Sequence, residues 1–199
     1  MSTSYAKPET LIGTALAPLD WTRSVGLVLA FSLLMALSAQ IAIPSWPIPI
    51  TAQTFVVLLS GALLGSRLGA MAMIVYLIEG ASGLPFFSMG TGGLAHLLGE
   101  KGGYLIAFPA AAYVTGAFAE HGWDKHFWSA VAAMTIGSLI ILLSGLAWFS
   151  ILTNTSPDVA FQITVLKFIP GDIVKILLAA AALPAGWALL QRKASQKPE

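Results

Sequence analysis

This sequence predicts an all-α integral membrane protein of six transmembrane helices with both termini cytoplasmic, and three observations predict it. Of its 199 residues 57% are hydrophobic and only 10% charged, against about 25% charged in a soluble domain. A soluble fold of this size has no interior large enough for so much apolar surface. Six apolar runs alternate with breakers rich in Pro, Gly or charge. Lysine and arginine, finally, gather on alternate connections.

A helix rising 1.5 Å per residue needs about 20 apolar residues to cross a bilayer. The first run, Thr22 to Ile43, ends at Pro44-Ser45-Trp46-Pro47-Ile48-Pro49, which cannot be helical. A short second run from Ala52 to Leu64 is separated by Gly65-Ser66-Arg67 from a third, Leu68 to Leu84. A glycine-rich segment, Phe86 to Gly103, precedes the fourth, Tyr104 to Phe118, and the fifth runs from Phe127 to Leu152. Asn154 to Ile169 reads as a connection, and Pro170-Gly171 opens the sixth run, which extends to Leu190. The division is therefore a cytoplasmic segment 1–21, a membrane domain 22–191 and a cytoplasmic tail 192–199. Met1 to Asp20 lacks the basic start, apolar run and cleavage site of a secretory signal.

With the N-terminus inside, Lys7, Arg23, Arg67, Lys125, Arg192, Lys193 and Lys197 are cytoplasmic, and the outer connections hold only Lys101. This agrees with the excess of positive charge on cytoplasmic loops. It also puts the Pro-rich segment, the Gly-rich segment and the start of the sixth helix on one outer face, which points to one outward-opening site.

Several function classes fall away. Cysteine is absent, which removes disulfides, thiolate nucleophiles and Cys-ligated metals. No basic patch suits nucleic acid, and no G-x-x-x-x-G-K-[ST] loop is present for ATP. No nucleophile–base spacing supports an intramembrane enzyme built on Glu79, His96 or Asp172.

The most informative motif is Pro170-Gly171-Asp172-Ile173-Val174-Lys175. It sets a carboxylate and an ammonium three apart on one face of the first turn of a membrane helix, where the macrodipole favours the carboxylate. Ionisable groups there are costly and raise a functional hypothesis; a structural ion pair is the alternative. In Pro47-Ile48-Pro49-Ile50-Thr51-Ala52-Gln53-Thr54, Thr51 suits an N-cap, and Gln53 is either a pocket group or part of a plain turn. Gly80-Ala81-Ser82-Gly83 and Gly90-Thr91-Gly92-Gly93 either present backbone groups to a ligand or form an external loop, since irregular backbone at membrane depth must line a cavity or be buried. Glu79 either faces the bundle interior near the pocket or snorkels to the outer interface beside Gly80, and the nearby outer end of its span favours the second. His96 is isolated, and His121 and His126 read as solvated. Gly26-x-x-x-Ala30 and Ser32-x-x-x-Ala36 permit close helix approach, within the bundle or with a partner. Trp128, Trp148 and Trp187 read as interfacial anchors.

Taken in order, Pro47–Thr54, Gly61-Ala62-Leu63-Leu64-Gly65, Gly83-Leu84-Pro85-Phe86-Phe87, Gly102-Gly103-Tyr104-Leu105 and Pro170–Lys175 resemble the BioY family, the biotin-specific substrate-binding (S) components of energy-coupling-factor transporters. The resemblance runs from about Ile41 to Leu190. It implies high-affinity capture and uptake of biotin across the bacterial plasma membrane, with no catalysis and no cofactor. It also implies partnership with a membrane-embedded coupling protein and ABC-type ATPases, helix one making the contact. The family's Asp-x-x-Lys pair falls on Asp172 and Lys175. Asp172 suits acceptance from the ureido N–H groups of biotin; Lys175 balances Asp172, donates to the ligand, or both. Gln53, Tyr104 and the Gly90–Gly93 backbone, Gly92 and Gly93 included, are the secondary ligand contacts, and aromatic side chains enclose the thiolane ring and alkyl chain. The lid expected over the pocket is the Pro-rich connection together with the Gly-rich one. Two departures stand out: Gly99-Glu100-Lys101-Gly102-Gly103-Tyr104 replaces the family's Gly-Pro-Thr-Gly-Gly-Tyr, and Glu79 stands where a small or apolar residue is usual. Dethiobiotin keeps the ureido ring and is the related candidate ligand.

Overall fold

The computed structural model describes residues 10–17 and 19–195, with side chains as far as Arg192. Lys7, Lys197 and the side chain of Lys193 lie outside the described residues, as do residues 1–9 and 18 of the expected N-terminal segment. A short helix α1, Leu11–Ala15, starts at Thr10, whose hydroxyl accepts from the Gly13 N–H at 3.3 Å. Helix α2, Trp21–Gln40, is capped by Asp20, which accepts from the Arg23 N–H at 2.8 Å. These caps answer backbone donors that a helix start cannot satisfy internally.

The Pro-rich segment that follows is a small hairpin. Strands β1, Ala42–Ile43, and β2, Ile50–Thr51, pair antiparallel with Ala42 opposite Thr51 and Ile43 opposite Ile50. Between them the Trp46–Pro47 bond is cis. Helix α3, Gln53–Leu64, turns at Gly65 (φ 90°) into α4, Ser66–Ala81. Gly65 is needed there, because an L side chain rarely adopts that backbone. The Gly-rich connection holds a 3-10 turn at Ser88–Gly90 and a short helix α5, Leu94–Leu97. Helix α6, Gly102–Glu120, leads through a 3-10 turn at Trp123–Lys125 to α7, Phe127–Thr153.

Asn154 (φ 53°) ends α7. The expected connection then proves helical: α8, Pro157–Phe161, passes into a π-helical turn at Gln162–Leu166. Pro157 at the first helical turn suits a helix start, where no N–H is required. The last helix, α9, is Ile169–Ser195, with Asp172 in its first turn as the sequence predicts.

Helices therefore stand at all six predicted places. Four of them, Trp21–Gln40, Gly102–Glu120, Phe127–Thr153 and Ile169–Arg192, are long and apolar enough to cross a membrane. Helix α3 has 12 residues and α4 has 16, about 18 and 24 Å at 1.5 Å per residue, short of a hydrocarbon core of about 30 Å. The bundle exposes rows of large apolar side chains, among them Leu29, Leu33 and Leu37 on α2, Leu139 and Leu143 on α7, and Val174 and Leu178 on α9. In water that surface is unfavourable; in lipid it is the natural exterior. The molecule is a multi-pass membrane protein.

Helix α6 is central, packed against α3, α4 and α7. Its first turn approaches α7 closely, because a Cβ on Gly103 would collide with the Cβ of Trp148 and the carbonyl of Ser144. Reciprocally, Gly145 of α7 leaves the space that the Tyr104 ring fills. One apolar cluster surrounds Met35, Tyr76, Phe87, Tyr104, Phe108 and Ile141; a second joins Leu58, Met134, Ile176 and Leu183. The two ends of the bundle differ accordingly. At one, the β-hairpin, the Gly-rich connection and the starts of α6 and α9 converge. At the other, the Gly65 turn is held by Glu120, which accepts from the Ser66 N–H at 2.7 Å, and the 3-10 turn at Asp124 packs on the later part of α9.

Two of the three expected tryptophan anchors are tethers instead. Trp148 donates to the Gly99 carbonyl at 2.9 Å, and the buried Trp187 donates to Asp124 at 2.6 Å. Only Trp128, 78% exposed, has the setting of an anchor. Trp148 and Trp187 are the indoles drawn into the protein, and burying either N–H unpaired would be costly. The α2 small-residue pairs also part company: Ser32 and Ala36 are buried in the bundle, whereas Gly26 and Ala30 lie on its open face.

Candidate functional site

Asp172 is 4% exposed, and its carboxylate is held from three elements. Oδ1 accepts from the Thr54 hydroxyl of α3 at 3.2 Å and from the Lys175 ammonium, one turn along α9, at 3.2 Å. Oδ2 accepts from the Ser138 hydroxyl of α7 at 2.9 Å. Lys175 in turn donates to Thr54 Oγ1 at 2.8 Å. The i, i+3 spacing thus produces the ion pair the sequence predicts. Thr54 and Ser138 were not foreseen. A buried carboxylate is tolerable only when paired and hydrogen-bonded, and these two hydroxyls supply what Lys175 alone does not.

The pair forms one wall of a cavity between the hairpin, the Gly-rich connection and the helix starts. Its lining also includes Ile48, Pro49, Leu105, Phe108, Leu142 and Phe168. It holds about 550 Å³ of empty space, counted out to its open mouth. The mixture of apolar walls with a few placed polar groups is that of a small-molecule site.

Gln53 lines this cavity and is buried. Its Oε1 accepts from the Thr51 hydroxyl at 3.0 Å, and its Nε2 donates to the Tyr76 hydroxyl at 2.8 Å, which donates onward to the Phe86 carbonyl at 3.2 Å. Thr51 is not the N-cap expected of it: Ala52 holds that position, while the Thr51 hydroxyl accepts from the Gln53 N–H at 3.4 Å. Tyr104 also lines the cavity, its hydroxyl donating to the Thr164 carbonyl at 2.6 Å, so its ring is a fixed wall.

Gly92 and Gly93 are placed elsewhere. A Cβ on Gly92 would run into the Leu84 carbonyl, and Gly93, at φ 95°, donates its N–H to the Gly80 carbonyl at 2.7 Å. Both shape the connection and neither lines the cavity. Gln40, at the end of α2, holds that connection from outside: its Oε1 accepts from the Gly90 N–H at 2.8 Å and its Nε2 donates to the Phe87 carbonyl at 3.2 Å. Glu79 is likewise absent from the cavity wall, and instead of snorkelling freely it keeps Oε2 buried with no hydrogen-bond partner among the described residues.

His96 and Lys101 do line the cavity. His96 stacks on Phe87 with ring centroids 5.3 Å apart, and Lys101 donates to the Ser88 hydroxyl at 3.5 Å. Burial, with the nearby Lys101 charge, holds the His96 imidazole below its usual value; burial also lowers Lys101, opposed by Glu100. Over the cavity, the hairpin is tied down by Lys167. Its ammonium donates to the Ile48 carbonyl at 2.9 Å, to Ser45 Oγ at 3.2 Å and to the Trp46 carbonyl at 3.4 Å.

A helical membrane bundle with such a cavity, bordered by loops at one end, has the architecture of a ligand-binding membrane protein. The chain belongs to the BioY family, whose model matches residues 7–192. It is 39% identical over 157 residues to a probable biotin transporter BioY of Pyrococcus horikoshii, covering 79% of this chain and 91% of that one. Against the biotin transporter BioY of Rhizobium etli it is 34% identical over 158 residues, covering 74% and 84% of the two chains. The fold matches the crystal structure of the S-component for biotin from an ECF-type ABC transporter, with a TM-score of 0.75 at 24% identity over 82% of this chain and 90% of that one. Its family is one of transporters, so the chain is not an enzyme.

Proposed function

We propose that this protein captures biotin in the Asp172 cavity and carries it into the cell, as the substrate-binding subunit of an energy-coupling-factor transporter in the bacterial plasma membrane. The observation that carries the reading is the buried Asp172, held by Thr54, Ser138 and Lys175 on the wall of an otherwise mostly apolar cavity. A carboxylate has about four lone-pair positions. Three are filled from within the protein, which leaves one for a ureido N–H. Gln53 spends one amide N–H on Tyr76, and its second suits the ureido carbonyl. Lys175 balances Asp172 and retains a third N–H for the ligand. Tyr104, Phe108 and Phe168 enclose the thiolane ring and alkyl chain.

Closure matters, because hydrogen bonds to a polar ring favour binding most when water is excluded. The hairpin and the Gly-rich connection form the lid, with Lys167 as its tether. Six spans and cytoplasmic termini are supported by the six helices and by Arg67, Lys125 and Arg192, which lie at or beyond helix ends remote from the cavity. The exposed Gly26–Ala30 edge of α2 is the surface offered to a coupling protein, which with ABC-type ATPases supplies the energy.

Isothermal titration of the purified, ligand-free protein in detergent tests the reading. One-site, tight binding of biotin is expected. A folded protein that gives neither heat nor thermal stabilisation with biotin overturns it.

A further inference from the structure

The charges around the cavity do not cancel. Asp172 is matched by Lys175 at 3.2 Å, yet Lys101 lines the same space with no carboxylate within ion-pair distance among the described residues. Its one hydrogen bond, to the Ser88 hydroxyl, lies at the 3.5 Å limit. Glu100 is next in sequence but exposed, and acts on Lys101 only at a distance. His96, the remaining titratable group on the wall, is held below its usual value and adds no positive charge at neutral pH. A half-buried ammonium with so weak a partner is unfavourable when the site is empty, and it favours a ligand bearing an anion.

The position is equally telling. Lys101, Ser88 and His96 belong to the Gly-rich connection, whereas Asp172, Lys175, Thr54 and Ser138 belong to α9, α3 and α7. Both polar clusters line the one cavity, whose remaining lining includes the apolar Leu105, Phe108, Leu142 and Phe168. A molecule with a neutral polar ring, an aliphatic chain and a terminal carboxylate calls for the same three kinds of surface.

We propose that Lys101, assisted by the Ser88 hydroxyl and the His96 imidazole, is a carboxylate-binding subsite that makes the protein select free acids over their neutral derivatives. This rests on the biotin reading, with the ureido ring directed to Asp172.

Titration calorimetry with biotin and with the neutral biotinamide tests it, on wild-type protein and on Lys101→Met, Lys101→Gln and Lys101→Arg. Wild type should prefer biotin by roughly 10- to 100-fold, the range of a hydrogen bond to a charged group. Lys101→Met and Lys101→Gln should lower biotin to the biotinamide level while leaving biotinamide affinity unchanged, and Lys101→Arg should retain the preference. Equal binding of both compounds by wild type overturns the subsite alone. So does an equal loss of both in the Met and Gln variants, the mark of a structural role. Wild type that binds neither compound overturns the biotin reading and the subsite with it.

Discussion

Two aspartates are buried in this bundle, one near each end, and they are held in different ways. Asp172, 4% exposed, has both oxygens engaged by an ammonium and two hydroxyls from three helices. Asp124, 2% exposed, gives one oxygen to the Trp187 indole, while the other has no partner among the described residues. Thr115, whose hydroxyl is also unpartnered, lines the same small apolar void. Burial lifts the Asp124 carboxyl above its usual range, against the pull of Trp187 and Lys125. The Asp172 carboxylate has partners on both oxygens and faces a cavity. A half-supported one can only tie a loop to a helix. Burial alone therefore marks neither as functional; the partners distinguish them.

The largest effect should come from exchanging each carboxylate for its amide. Asp172→Asn removes the charge that Lys175 balances and places an N–H₂ group against a hydroxyl or the ammonium. Biotin binding should weaken by about 1–3 kcal/mol, roughly five- to 150-fold, as read by titration calorimetry. Asp124→Asn should leave that affinity unchanged. Equal effects at the two sites would erase the distinction.

A smaller effect is expected at the lid. Lys167→Met removes the donor to Ile48, Trp46 and Ser45. The hairpin should then open more readily, and biotin dissociation measured by stopped flow should quicken roughly fivefold, as expected for about 1 kcal/mol net from hydrogen bonding. An unchanged rate would mean that Lys167 orders the hairpin without gating the site.

The subtlest prediction concerns pH. A carboxyl whose pKa is raised on folding binds its proton more tightly in the native state, so stability falls as pH rises from the unfolded value of 3.8 through the raised one. Thermal melts across that window should show this decline in the wild type and a shallower one in Asp124→Asn. Identical slopes would place the carboxyl's titration outside the folding equilibrium.

Much of the cavity is legible in the primary structure because it depends on spacing within one helix. Asp172 and Lys175 meet because they are three apart, and Pro170-Gly171 marks where their helix begins. What comes from elsewhere in the chain is harder to read. Ser138 and Thr54 are single hydroxyls within apolar runs, and in a sequence they look like packing residues. Ser138 is 34 positions from its partner and Thr54 is 118. Lys101 and His96 read as parts of an external loop until the fold turns that loop back over the bundle. Gly92 and Gly93 show the reverse: their freedom of backbone shapes the connection rather than the cavity. The place of Trp187 near a span end, which suggests an interfacial anchor, is visible in sequence, whereas its partner Asp124, 63 positions away, is not. The short α3 and α4 are where counting apolar residues says least, since their hairpin is fixed by Gly65 and its contact with Glu120.

The most direct test is an experimental structure of the protein with biotin bound. The account predicts the ureido ring between Asp172 and Gln53, with an N–H about 2.9 Å from a carboxylate oxygen, and the carboxylate at Lys101 beneath the hairpin. Biotin seated outside this cavity, with the Asp172 cluster unchanged and out of its reach, would contradict it.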